Sequence, residues 1–247
     1  MIPPRENEIT RIEAFSDAMI AFAATLLVVS LETPKTYDEL INNLYGFFPF
    51  GLSFAALFLI WMVHTSLFRR YPLNDKPSVV LNGVLLFTVL FYVYPLKFLS
   101  ASFASIWAPE RSSVTIGTLG NLRGLFILYA LGWMVIFTLF ALLYRRAHET
   151  REALSLTPVE AYDATTLSRH YIGFVFAGLL SLVIAYLGIG VRWGLPGIAY
   201  GSIGIFSSWN ARSRKKGRDD LATRVAAHPQ LAYTGAIRTE EIQRLIK

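Results

Sequence analysis

The chain has 247 residues, of which 54% are hydrophobic and only 16% are charged, and its mean hydropathy is +0.45. A soluble domain carries about a quarter charged residues, so this composition excludes an ordinary soluble protein, and several apolar runs of roughly 20 residues predict a polytopic membrane protein. The sequence contains no cysteine, which excludes disulfides, thiol nucleophiles and thiolate metal sites.

Six apolar segments predict six membrane-spanning helices and an all-α fold. The second is longer than a span needs, and Pro49 marks where an amphipathic stretch gives way to the span itself. Before the fifth, Thr157 as N-cap and Pro158 at the first helical position predict the beginning of a helix. We divide the chain into a six-span unit over residues 1–209 and a cytoplasmic basic tail over residues 210–247. The six segments are roughly Glu13–Leu31, Leu40–Phe68, Val79–Leu99, Leu122–Tyr144, Leu167–Ile189 and the short, Gly- and Ser-rich Leu195–Trp209.

The positions of the basic residues predict the orientation of the chain in the membrane. With the N-terminus in the cytoplasm, 18 of the 23 lysine and arginine residues fall in cytoplasmic segments and 5 in external ones. Cytoplasmic segments carry an excess of lysine and arginine, so we expect cytoplasmic N- and C-termini and a multi-pass protein of the inner (plasma) membrane. The same asymmetry accounts for the net charge of +6 without a nucleic-acid partner.

The first span carries an unusual set of charges. Arg11, Glu13 and Asp17 lie at its beginning, before an apolar run from Ala18 to Val29. Charged side chains at membrane depth are costly and are usually retained for a function. We therefore expect this helix to carry the functional site.

Three sequence elements stand out in residues 11–98, namely Arg11-x3-Phe15-Ser16-Asp17, then Trp61-Met62-Val63-His64-Thr65-Ser66-Leu67-Phe68, and then Leu81-Asn82 with Pro95 near the end of its span. In type and order they resemble the signature of the endosomal/lysosomal potassium channel family. The resemblance implies a potassium-selective ion channel that is a homotetramer of six-span subunits, with potassium as the permeating ion and no cofactor. It also implies that the first helix of each subunit lines a central pore, with an apolar constriction in place of a carbonyl filter.

The resemblance further implies a role for individual residues. The apolar constriction falls on Phe22, Leu26 and Val29, and Thr25 offers its hydroxyl to a partly dehydrated ion. Asp17 lies off this stripe, so we expect it to face neighbouring helices and to pair with Arg11, His64 and Asn82. The implied network that braces the pore helix consists of Arg11, Phe15, Ser16, Asp17, Trp61, His64 and Asn82.

Helical periodicity supports the assignment of the pore face. Ala18, Phe22, Thr25, Leu26 and Val29 recur at spacings of three and four residues and share one side of a helix. A fourfold ring of such side chains would be narrow and dry, and a dewetted apolar neck blocks ions. The family usually places a branched aliphatic residue where this chain has Phe22. The sequence therefore does not decide which of the three apolar rings is the narrowest.

Two other functions stay open on the sequence alone. One is a proton-coupled secondary transporter in which Asp17 or Glu13 carries the proton, and the other is a non-conducting membrane interaction subunit. Taken singly, Thr25 could bond back to its own helix, Trp61 could be interfacial, and His64 could be the polar end of a span. We do not expect an enzyme, because the sequence has no P-loop, no HExxH motif and no nucleophile–base–acid set, and its four histidines lack metal-ligand spacing.

Overall fold

The computed structural model of the chain describes residues 10–29, 35–107 and 117–227, and these ranges contain helices and connecting turns but no β-strand. The all-α prediction is confirmed for this part of the chain. The α-helices are α1 (Arg11–Val29), α2 (Tyr37–Phe68), α3 (Lys76–Trp107), α4 (Leu119–Glu149), α5 (Pro158–Leu187), α6 (Leu195–Ile198) and α7 (Ser202–Ala227), with 3-10 turns at Val191–Trp193 and Ala199–Gly201.

Four described segments are long and apolar enough to cross a membrane, namely Phe50–Phe68, Lys76–Ser102, Leu119–Glu149 and Pro158–Leu187. They coincide with the predicted second to fifth spans, which are thereby confirmed as helices of spanning length. α2 continues without a break through residue 49, so the amphipathic stretch and the span on either side of it form one helix of 32 residues. α1 has 19 residues and is not among the four.

The predicted sixth span, Leu195–Trp209, is not a single α-helix. It contains α6, a 3-10 turn and the beginning of α7. Ile198, Ala199 and Ser202 keep right-handed helical backbone angles, so the pieces form one helical path that tightens in its middle. Glycine and serine, which are poorer helix formers than alanine or leucine, are frequent there. α7 then continues across the boundary at residues 209–210 into the basic tail.

Aromatic rings hold α4 against α5. The ring centroids of Phe137 on α4 and Phe174 on α5 are 4.9 Å apart, and the indole N–H of Trp133 donates to the carbonyl oxygen of Phe174 at 2.9 Å. Gly178 permits this approach, because a Cβ at that position would lie only 2.8 Å from Cγ of Met134. The helices α1, α2 and α3 pack together as a second group, which joins the first mainly through α3 and α4.

The beginning of α5 matches its prediction. Thr157 is the N-cap, Pro158 follows in the first turn, and Glu160 completes a capping box with Thr157. The hydroxyl of Tyr71, in the α2–α3 loop, donates to the carbonyl oxygen of Glu160 at 3.0 Å. Burial raises the pKa of Tyr71 above its ordinary range, so this hydroxyl stays protonated and remains a donor.

Two carboxylates join the helices at this end of the bundle. Asp163 on α5 binds Arg70 of the α2–α3 loop and, through the same oxygen, the Nε of Arg218 on α7 at 3.1 Å. Asp75, which precedes α3, binds the Nε of Arg146 on α4 at 2.9 Å. The α2–α3 loop is therefore tied to α4, α5 and α7.

The charge on Asp75 should make stability depend on pH. Burial alone would raise the pKa of this carboxyl, but hydrogen bonds from Ser78 and Arg146 outweigh it and hold the pKa below its ordinary value. Because the folded-state pKa is lowered, the carboxylate stabilises the fold fully above its unfolded-state pKa of about 3.9. That contribution is lost as the pH falls through the lower, folded-state pKa.

We predict that Asp75→Asn lowers the free energy of unfolding by about 0.5–1 kcal/mol at neutral pH. Asparagine keeps the N-cap bond to Ser78 but removes the charge, whereas Asp75→Ala removes both and should cost about 1 kcal/mol more. Thermal unfolding in detergent measures both variants against the wild type. The deficit of Asp75→Asn should disappear as the pH falls through the lowered pKa of Asp75, and a deficit that does not change with pH would contradict the role of the ion pair.

Candidate functional site

α1 has a buried face and an uncovered face. Ser16, Ile20, Ala23 and Leu27 recur at helical spacing and are buried where α1 packs on α2 and α3. On the other side, Phe22 is 54% exposed within the chain. The helix is therefore anchored along one side, while its other side is left for contacts outside this chain. The further exposed residues of the uncovered face are Arg11, Ala14, Phe15, Ala18, Ala21 and Thr25.

Three buried polar side chains from three helices form one hydrogen-bonded network. Ser16 on α1 donates to the carbonyl oxygen of Ile12 at 2.7 Å and accepts from Nδ2 of Asn82 on α3 at 2.9 Å. Oδ1 of Asn82 lies 2.9 Å from Nε2 of His64 on α2 and accepts its N–H. The His64 ring also stacks on Phe68, with centroids 4.6 Å apart. The structure thus brings three predicted network residues together, and each finds a partner in an apolar environment.

Asp17 is held by Trp61 and not by the partners expected from the sequence. The indole N–H of Trp61 donates to Oδ1 of Asp17 at 2.8 Å. Asn82 and His64 bind elsewhere in the network, and Arg11 makes no ion pair with Asp17 among the residues described. Six residues of α-helix turn through about 600°, which puts Arg11 and Asp17 on different sides of α1. Within the described residues Asp17 therefore pairs with Trp61 and not with the three expected partners, and it helps to attach α1 to α2.

Glu13 caps the helix that contains it. Its carboxylate accepts from the backbone N–H of Thr10 at 2.9 Å and from the Thr10 hydroxyl at 3.0 Å, while the backbone N–H of Glu13 donates to that hydroxyl at 3.2 Å. This is a capping box, which satisfies the otherwise unpaired N–H groups at a helix beginning. The structural role of Thr10 was missed from the sequence, although the spacing Thr10-x-x-Glu13 is the pattern of this motif.

The predicted pore residues lie on the uncovered face to different degrees. Phe22 projects from it, and Thr25 is exposed with its hydroxyl donating to the carbonyl oxygen of Ala21 at 2.9 Å. That bond is the local one a hydroxyl makes in an apolar helix. Leu26 is half-buried and packs against the core. The side chain of Val29 lies outside the described residues.

Arg11 and Phe15, which were expected in the bracing network, share the uncovered face with Phe22. Arg11 and Phe22 are eleven positions apart, which is about three helical turns, so their side chains point the same way. Phe15 is 58% exposed. Neither residue takes part in the hydrogen bonds that join Ser16, Asn82 and His64 within the described residues.

These features define a class of protein. It is an α-helical membrane protein whose first helix is anchored by buried polar contacts on one side and uncovered on the other. Within residues 10–29, 35–107 and 117–227, no three histidine or carboxylate side chains are grouped so as to hold a metal ion.

Comparison with known proteins identifies the family. The model of the family described as endosomal/lysosomal potassium channel TMEM175 matches residues 11–92. A potassium channel of Marivirga tractuosa is 36% identical over 190 residues, which cover 74% of this chain and 77% of that protein. A potassium channel of Chamaesiphon minutus is 28% identical over 200 residues, which cover 76% of this chain and 91% of that one. The chain belongs to the TMEM175 family, as its motifs predicted, and this is a family of channels and not of enzymes.

Solved structures agree with this assignment. A variant of the potassium channel MtTMEM175, crystallised with a nanobody fusion protein, superposes with a TM-score of 0.75 at 32% identity, over 87% of this chain and 97% of that one. A lysosomal potassium-selective channel TMEM175 homolog from Chamaesiphon minutus superposes with a TM-score of 0.56 at 22% identity, over 81% of this chain and 96% of that one. The second likeness is one of fold.

We predict that Asn82→Ala destabilises the protein by about 1–3 kcal/mol, because Ser16 and His64 then lose their shared partner while remaining buried. The midpoint of thermal unfolding in detergent measures this loss. Thr88→Ala is the matched control, since Thr88 lies on the same helix, is only half-buried, and its hydroxyl bonds to the backbone of its own helix at Val84. If both variants melt alike, Asn82 does not hold the helices together.

Proposed function

We propose that four copies of this chain form a potassium-selective channel whose pore is lined by the uncovered face of α1. The observation that carries the proposal is the division of α1 into a face anchored at Ser16 and an uncovered face that bears Phe22. The relatives described above are potassium channels, which supports potassium as the permeating ion. A homotetramer in the inner (plasma) membrane would place four such faces around one axis.

The charges at the beginning of α1 argue against lipid as the cover of this face. Arg11 shares the face with Phe22, and Asp17 lies at its edge, both exposed within the chain. Charged side chains are costly when they face hydrocarbon but are tolerated beside a water-filled cavity or another protein surface. A central axis shared with neighbouring subunits offers both, so Arg11 and Phe15 are available to contact a neighbour in the tetramer.

The constriction of the proposed pore is apolar. From Phe22 to Val29, the helix rises about 10 Å at 1.5 Å per residue, a neck in which four copies of each side chain would exclude water. An apolar neck that stays dry blocks ions without a moving plug. Phe22 is well exposed while Leu26 is half-buried, so we assign the main barrier to Phe22.

Thr25 is the proposed selectivity residue. Its hydroxyl hydrogen is used in the bond to the carbonyl oxygen of Ala21, which leaves the oxygen lone pairs free to act as acceptors. Four such oxygens around the axis would meet an ion within the apolar neck. The local bond therefore fixes the hydroxyl in the orientation that a cation needs.

Six spans per subunit, with cytoplasmic N- and C-termini, complete the proposal. The helical path through α6 and α7, which starts at Leu195, supports a sixth span that completes a unit over residues 1–209. Residues 210–247 form the basic cytoplasmic tail. The excess of lysine and arginine in the segments assigned to the cytoplasm supports this orientation.

Potassium flux into liposomes tests this function. We expect the purified protein to pass potassium faster than sodium, and Phe22→Ala to raise the potassium flux severalfold because the widened neck wets. Leu26→Ala should raise it less, since that side chain is partly held by the core. Phe91→Ala on α3 removes the same ring from a position 64% exposed outside the proposed pore and should leave flux unchanged. A wild type that passes no potassium contradicts the function, and a Phe22→Ala variant no different from Phe91→Ala contradicts the gate.

Thr25 should affect selectivity and not total flux. Thr25→Ala removes an oxygen ligand without widening the neck much, so the ratio of potassium to sodium flux should fall severalfold. Thr25→Ser keeps the oxygen and serves as the matched control. If alanine and serine give the same flux ratio, the hydroxyl plays no part in choosing the ion.

A further inference from the structure

A cavity of about 700 Å³ lies between the two groups of helices and away from α1. Its walls are almost entirely aromatic and aliphatic, with Ile60 and Val63 contributed by α2 and Trp133 and Phe137 by α4. Cavities of this size and character bind small, largely apolar molecules. Because no residue of α1 lines it, this cavity is distinct from the proposed pore.

The length of the cavity matches one leaflet of a bilayer. Along α2, its lining runs from Ala56 to Ser66, and ten residues of α-helix span about 15 Å. The hydrocarbon core of a bilayer is roughly 30 Å thick, so the cavity is as deep as the acyl chain of one leaflet. A chain of methylenes is therefore an occupant of suitable length and polarity.

One end of the cavity is basic. Arg70 lines the cavity at this end, and Arg70 and Arg218 share the single carboxylate of Asp163. Arg214 lies near His170 and Tyr171 of the same lining.

The basic end has donors to spare. The buried Nε of Arg214 has no hydrogen-bond partner among the residues described. The other nearby carboxylate, that of Glu160, is occupied by the capping box of α5. The basic end therefore has three arginines (Arg70, Arg214 and Arg218) and two carboxylates (Asp163 and Glu160). Its net positive charge and its unused guanidinium donors suit the binding of a phosphate.

We propose that this cavity binds an acyl chain of an anionic phospholipid, whose phosphate is held by the arginines at its end. The occupant would lie against α2 on the side away from α1. α2 presents Trp61 and His64 to α1 and α3 on its other side, so a bound lipid would support the helix that holds α1. Lipid binding does not require ion conduction, and it is independent of the function proposed above.

Photolabelling of the full-length protein in liposomes tests this proposal. The probe is phosphatidylglycerol with a diazirine in its acyl chain, diluted in phosphatidylcholine, and labelled peptides are mapped by mass spectrometry. We expect α2 and α4 peptides containing Val63 and Trp133 to be labelled severalfold more than the outward face of α3 at Val80. The same diazirine carried on phosphatidylcholine should label them severalfold less.

A filling substitution tests the cavity itself. Val63→Phe should abolish most of the cavity labelling while labels on the outward face of α3 persist, which shows that the variant is folded. Val80→Phe is the matched control, because this valine is 64% exposed on α3 and lies outside the cavity lining. Unchanged labelling in Val63→Phe would overturn the proposal, and so would equal labelling of all outward helix faces. Cross-linking of Val63→Cys between subunits, in place of lipid labelling, would assign the cavity to a second copy of the chain and overturn it too.

Opposite charge changes test the phosphate site. Arg70→Gln removes a donor and should bring the labelling ratio of phosphatidylglycerol to phosphatidylcholine close to one. Asp163→Asn removes the carboxylate that competes for the arginines, so the ratio should rise above that of the wild type. A purely structural role of the ion pair predicts that both variants change in the same direction, and that result would contradict lipid recognition.

Discussion

The arrangement of α1 depends on three buried polar side chains that need one another. Ser16, His64 and Asn82 come from three helices and sit in an apolar environment, where an unpaired polar group costs several kcal/mol. Hydrogen bonds have preferred directions, so their mutual satisfaction fixes the rotation of α1 against α2 and α3. Once Ser16 faces inward, Phe22, six residues later, faces outward. The uncovered face, and the pore we propose to build from it, are consequences of that network.

The network coincides with the part of the chain that matches the family model. That match covers residues 11–92 and ends within α3, where the hydroxyl of Tyr92 donates to the carbonyl oxygen of Tyr129 on α4 at 2.9 Å. Beyond this point, α4 and α5 form their own aromatic core, and Asp163 ties α5 and α7 to the α2–α3 loop. The molecule thus combines a unit of α1, α2 and α3, which contains the candidate site, with a second unit of α4, α5 and α7, which packs against α3 and binds the α2–α3 loop.

Apolar length alone predicted α2 to α5, because few structures other than spans use such long apolar runs. The membership of the polar network was largely predictable, but its pairing was not. Adjacent residues of a helix differ by about 100° in direction, so whether Ser16 or Asp17 meets Asn82 depends on a rotation that only packing determines. Glu13 was considered as a proton carrier, although local spacing alone identifies it as a cap. The division of the predicted sixth span into α6, a 3-10 turn and the beginning of α7 was not predicted, because its Gly- and Ser-rich sequence carries no strong signal for either kind of helix.

Thiol accessibility along α1 tests the central claim most directly. The sequence contains no cysteine, so single cysteines can be introduced without background and exposed to Ag⁺, a monovalent cation that binds thiolates, during potassium flux. The account predicts that cysteines at Ala18, Phe22 and Thr25 are blocked rapidly and that those at Ile20 and Ala23 are not. Rapid block at Ile20 and Ala23, with none at the other three, would show that α1 faces the ions with the opposite side and would contradict the account.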